Sequence, residues 1–288
     1  MTIPAAVGLI LFVIVPFCLA IWLSLQNIKL NSARPSEFLG LEQYRRVLFD
    51  PDFRGSFYAG LRNNIVFALV VVPLQTAMAV GLALLLNRKL RGMAFYRTFI
   101  FMPIVFPMAL VAVMWNLIYS RSETGMLNSA INAITFGQVS GIDWLGDTTY
   151  AMLSIIILSI WQGVGFQTII VLAGLQGISP TLYEAASIDK ASAWSQFRHV
   201  TLPGLRNTLI FVVMVTTIFS FRLFDQIYIL TKGGPEESTT TLMYQAVDNA
   251  FVRDNVGRGA AITVLLFVLV MIITIIQRRV LKEERAIT

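Results

Sequence analysis

The sequence predicts an all-α membrane protein with six transmembrane helices and a cytoplasmic helix–turn–helix loop. Three observations carry this. Hydrophobic residues make up 56% of the chain and charged residues only 13%, against about 25% charged in soluble domains. Several apolar runs are as long as the roughly 20 residues that a helix needs to cross a bilayer. The charges that do occur are gathered between those runs rather than spread along the chain.

Taken in order, the spans cover about residues 3–25, 65–86, 99–119, 151–175, 208–230 and 259–277 of one membrane domain, 1–288. Five contain a long run free of Asp, Glu, Lys and Arg, whereas the fifth carries Arg222 and Asp225. The first lacks a preceding basic stretch and exceeds the roughly 7–15 apolar residues of a signal peptide, so it is expected to be retained. Pro16, Pro73, Pro103 and Pro107 fall within spans and are expected to be tolerated as ordinary membrane-helix prolines. Cys18 is the single cysteine, which excludes an internal disulfide and leaves the redox compartment unspecified.

Loop charge sets the orientation. The loop after the second span holds Arg88, Lys89, Arg91 and Arg97 and no acid. By base count alone the two sides are nearly equal, so this dense, acid-free loop decides. Both termini and the loop after the fourth span are then cytoplasmic. The bases sit beside helix ends rather than in one stripe, which argues against nucleic acid as a partner.

On the opposite side, Leu41, Tyr44, Val47 and Leu48 have the spacing of one helical face, predicting a short surface helix. Residues 120–148 are rich in glycine and read as turns, and "TKGGPEES" at 231–238 marks another. The phosphate-loop pattern G-x-x-x-x-G-K-[ST] does not occur, so no nucleotide site is expected in this chain.

The stretch "SPTLYEAASIDKASAWSQFRHVTLP", residues 179–203, interrupts the apolar chain. Ser179 followed by Pro180 predicts a capped helix start. Asp189 is suited to the start of a second helix, so a turn at Asp189 and Lys190 is expected, with Pro203 ending the second helix. Ala185, Ala186, Ala191 and Ala193 allow another backbone to approach closely. His199 has no second histidine or cysteine near it and is expected to face water or a partner's surface rather than a metal.

This stretch resembles the coupling loop of binding-protein-dependent ABC importer permeases, E-A-A-x-x-D-G-A-x(5)-F-x-x-I-x-L-P. Glu184, Ala185, Ala186, Asp189, Ala191, Phe197, Leu202 and Pro203 match, and Val200 replaces isoleucine. "FLGLEQYRRVL", "GLALLLNRKLRG", "YRTFIFMP", "GMLN", "DWLG", "WQGVGFQTIIVLAGLQGISPTLYEAA" and "FDQIYILTKGGP" are similar, in order, to blocks of the carbohydrate-type permeases. Lys190 departs from the family's glycine; if that position needs positive φ, lysine costs on the order of 1 kcal/mol.

The resemblance implies a subunit of a bacterial or archaeal cytoplasmic (inner) membrane importer that passes a sugar or sugar-like solute. The expected partners are a dimer of ATP-hydrolysing subunits, a second related permease, an extracytoplasmic solute-binding protein and the bilayer. The loop residues Glu184, Ala185, Ala186, Asp189, Lys190, Ala191, Phe197 and Pro203 would then couple to the ATPase. This chain would be no enzyme and would hold no cofactor or metal.

For the translocation path, Asn116, Trp161, Gln162, Gln167 and Tyr228 have the chemistry of sugar contacts. Arg222 and Asp225 are three residues apart and are expected to share a helical face as a neutralising pair. Two competing functions have weaker support. An autonomous ion-coupled carrier would place ionisable residues within several spans and commonly show an internal repeat, and a membrane enzyme would need converging acid–base, metal or nucleophilic groups.

Overall fold

The computed structural model describes residues 3–30, 35–88, 91–139 and 141–281; Lys89 of the basic loop and the charges of the tail at 282–288 lie outside the described residues. Long apolar helical spans cover Ile3–Ser24, Pro51–Leu86, Thr148–Gln176, Arg206–Leu230 and Val256–Val280, the fourth of these interrupted between Phe221 and Asp225. A sixth candidate span consists of Met93–Val105 and Met108–Ile118, bent by 98°. The second helix, at 36 residues, is about 54 Å long, so it outruns a hydrocarbon core of about 30 Å. It begins 14 residues before the apolar run at Ile65.

The bend corrects the expectation that the third span's prolines are incidental. Phe106, immediately before Pro107, has ψ 136°, because the proline ring excludes the helical conformation from its predecessor. At two other prolines a widened turn precedes the ring, whereas Pro73 and Pro103 sit within α-helix. A π-helical turn at Ile10–Ile14 precedes Pro16, and another at Phe197–Thr201 precedes Pro203. The chain therefore stays helical through Leu202–Gly204, and Pro203 does not end the second helix of its loop as expected.

The chain divides into two compact units, the first comprising Met1–Val66, Leu145–Ala151 and Phe221–Ile273. Within it, Gln26–Asn27 pairs antiparallel with Glu37–Phe38. The short helix Glu42–Phe49 buries Val47 on the expected face together with Gln43, half-buries Tyr44 and Leu48, and leaves Leu41, which precedes it, exposed. Glu42 accepts from Arg45 at 2.7 Å and Arg46 at 3.0 Å, and these hydrogen bonds hold its carboxyl down at about 2. The Gln26 carbonyl abuts Gly257 so closely that an added Cβ would lie 2.0 Å away. The turn predicted at 231–238 is fastened to the second span. Asn63 Nδ2 donates to the carbonyls of Glu237 and Thr240, at 2.8 and 2.9 Å, and Asn64 Oδ1 accepts from the Leu242 amide at 3.0 Å.

The second unit comprises Phe67–Trp144, Met152–Ser220 and Thr274–Thr288. Its core joins small residues to branched ones: Ala79 and Ala83 pack with Val171, Leu175, Leu205 and Val212. Gly165 admits the third span's backbone, since a Cβ there would sit 2.2 Å from the Ile100 carbonyl. Residues 120–148 are not turns alone, because Met126–Ile134 is helical. From this helix the buried Asn128 shares the two hydrogens of its Nδ2 among four backbone carbonyls at 3.1–3.3 Å and accepts from Trp144 Nε1 at 2.8 Å. The "GMLN" and "DWLG" blocks thus meet in one hydrogen-bonded knot.

Candidate functional site: an exposed helical loop and the polar residues of the spans

Residues 180–188 form one short helix, and a second begins at Ala193. The first ends in a tight motif in which the Ala191 amide donates to Ala186 O at 2.9 Å and the Lys190 amide to Ser187 O at 3.0 Å. Those two bonds satisfy carbonyls that a helix end leaves open, and they require left-handed backbone at the residue between. Lys190 supplies it, with φ 57°.

Two local expectations are corrected. Ser179 makes no side-chain cap and pairs instead with Thr181 Oγ1 at 2.8 Å. The working cap is Ser192, whose Oγ accepts from the Ser195 amide at 3.2 Å. Asp189 closes the first helix rather than opening the second, because the motif at Lys190 extends the turn to Ser192. Cross-bonds brace the loop: Gln196 Nε2 donates to Ala191 O at 3.2 Å, and Tyr183 and Thr201 share a hydroxyl bond of 3.0 Å.

Glu184, Ala185, Asp189, Lys190 and Pro203 are exposed, while Ala186, Ala191 and Phe197 are half-buried. Beside them Ile188 is 81% exposed and Trp194 is 68% exposed. Sequence reasoning passed over these two, although large apolar side chains in a polar segment are the available signal. His199 is exposed, its Nδ1 lying 3.0 Å from Ser195 O.

The polar residues singled out in the spans fall into two groups. Gln162 and Gln167 are buried and engaged. Gln162 Nε2 donates to Phe106 O at 3.1 Å, the carbonyl freed by the bend, and Gln167 Nε2 donates to Thr216 Oγ1 at 2.5 Å. Asn116, Trp161, Arg222, Asp225 and Tyr228 are exposed on this chain. Trp161 packs on Trp115 at 5.5 Å, and Trp115 on Tyr119 at 5.1 Å. Tyr228 stacks on Phe224 at 5.4 Å.

The expected Arg222–Asp225 pair is not formed among the described residues. The helix stops at Phe221 and restarts at Asp225, so helical spacing does not apply between them.

Five apolar helices and one bent pair, each long enough to cross a membrane, together with a braced, exposed helical loop, define a multi-pass membrane protein. The profile of the binding-protein-dependent transport system inner membrane component family matches residues 75–285. The chain belongs to that family.

It is 36% identical to the trehalose/maltose transport system permease protein MalF of Thermococcus litoralis, covering 99% of this chain and 93% of that one. It is 31% identical to the sulfoquinovosyl glycerol permease SmoG of Agrobacterium fabrum, covering 98% and 89%. It is 30% identical to the lactose permease LacF of Rhizobium radiobacter, covering 98% and 93%. The same fold occurs in a bacterial alginate ABC transporter solved with its oligosaccharide-bound periplasmic protein, with TM-score 0.83, 18% identity, and 99% of this chain and 95% of that one covered. The protein is thus an inner-membrane transport subunit of an ATP-driven importer, not an enzyme, and ATP hydrolysis belongs to a separate subunit. The carrier alternative has no support from these relationships.

Proposed function

We propose that this chain forms part of the path for a sugar-like solute and that residues 179–203 dock on the cytoplasmic ATPase. The carrying observation is the loop itself: two short helices locked by the motif at Lys190, presenting Glu184 beside exposed Ile188 and Trp194. Large exposed apolar side chains on a rigid polar segment fit a partner's groove better than water. The sugar reading is supported by the relatives, which are named for trehalose/maltose, lactose and a sulfosugar glycoside.

In this reading ATP-driven closure of the ATPase dimer pushes the loop and biases the spans between two arrangements. Both termini then lie in the cytoplasm. The exposed residues Asn116, Trp161, Arg222, Asp225 and Tyr228 are the candidates for solute contact, with Gln162 and Gln167 holding the helices that present them.

Native mass spectrometry of the tagged chain, purified in mild detergent from its own cells, tests the assembly. The expected complex holds two copies of an ATPase and one different permease. A chain found alone or as a homo-oligomer, under conditions that keep a known importer assembled, would sink the reading. In the same complex Glu184→Lys is expected to abolish ATP-driven uptake without lowering the amount of chain in the membrane; normal uptake would rule out the docking role.

A further inference from the structure

The acid-free stretch that orients the chain also frames a cavity that the transport reading does not use. No Asp or Glu occurs between Asp52 and Glu123. Inside that interval, where the second span ends and the third begins, a cavity of about 250 Å³ is lined by Arg97, Ile100, Phe101, Ile169, Leu172 and Gln176 among others. Its character is graded: aliphatic and aromatic side chains from three helices form the walls, and the Arg97 guanidinium, the Gln176 amide and the Thr168 hydroxyl, which is spent on Val164 O at 2.7 Å, are its polar side chains.

Arg97 Nη2 donates to Leu86 O at 2.9 Å, the open carbonyl end of the second span. That bond fixes the guanidinium at the end of the apolar wall but leaves its charge unneutralised, and among the described residues Arg97 makes no ion pair. Arg88 and Arg91, on the same short connection, are exposed. Ile169, on the cavity wall, is 41% exposed.

We infer that this groove binds one anionic phospholipid, its phosphodiester held by Arg97 with Arg88 and Arg91 nearby, and one acyl chain laid along Ile100, Phe101 and Ile169. The charge is complementary, the wall is apolar, and the basic loop is placed at a helix end, where a bilayer presents its headgroups. Basic pockets between membrane helices are suited to this ligand class. The inference does not depend on which solute is carried or on the role of residues 179–203.

The test is native mass spectrometry of the purified assembly titrated with phosphatidylglycerol or phosphatidylcholine of the same chain length. Preferential retention of phosphatidylglycerol is expected, and Arg97→Gln should lower that preference by about fivefold, the share of one surface arginine. Arg97→Lys should keep most of it, which a purely helix-capping arginine would not require. If Arg97→Gln fails to assemble, Gln176→Glu, which places a like charge at the mouth, should produce the same loss. Equal retention of the two lipids, or an unchanged preference in both the Gln and Glu variants, would overturn the inference. Displacement of phosphatidylglycerol by millimolar inorganic phosphate would also overturn it, since that would reveal an anion pocket rather than a lipid groove.

Discussion

Lys190 holds a left-handed backbone that glycine adopts without penalty, and the two amide bonds around it depend on that conformation. Lys190→Gly should therefore stabilise the loop by about 1 kcal/mol. Hydrogen exchange would read this as roughly fivefold slower exchange at the Ala191 amide; faster exchange would mean that the lysine side chain holds the turn. Asn128 is the opposite case, a residue with no substitute. Its two amide hydrogens are shared among four half-buried carbonyl contacts and its oxygen serves the buried Trp144 indole, so Asn128→Ala strands the indole N–H at about 1–3 kcal/mol before relaxation. A clear fall in Tm in detergent is expected, and an unchanged Tm would contradict this account. The sequence showed "GMLN" and "DWLG" only as separate blocks. A hydrogen bond between residues 16 apart leaves no periodic trace, so the pairing could be found only from coordinates.

At the scale of elements, the broken third span changes what Gln162 is for. A bend of 98° frees backbone groups inside a medium that offers few partners, and Gln162 supplies one to Phe106 O. Gln162→Leu is expected to cost about 0.5–1.5 kcal/mol in Tm-derived stability while leaving the KM for solute unchanged. A raised KM with unaltered stability would return Gln162 to the solute path. The spans themselves were legible because apolar runs of bilayer length have few alternatives. Their ends were less so: the second helix continues out to Pro51 over residues polar enough to look like loop. The bend had a visible local cause in Phe106–Pro107, but proline is common enough in membrane helices that its effect depends on what packs around it. The gap between Phe221 and Asp225 had no such marker. Thr241 Oγ1 donates to Leu223 O at 2.8 Å there, a tertiary bond that satisfies the interrupted backbone.

Across the whole molecule, family membership rested on blocks distributed along the chain, and local physics alone would have stopped at a polar connector between spans. The first span adds something that neither level states. None of its apolar window is buried in this chain, and its ring contact at Phe17 is with Phe267, 4.4 Å away but 250 residues later. Strand and loop contacts beyond it follow the same pattern, as Ile28 O accepts from the Val256 amide at 3.0 Å. At translation rates of about 5–20 residues per second, the first helix is made on the order of ten to fifty seconds before its neighbour exists. Apart from contacts near its end, such as Trp22 with Phe38 and Ser24 with Tyr44, its apolar length faces lipid during that interval, and hydrophobicity on every side suits it to wait in the bilayer during biosynthesis.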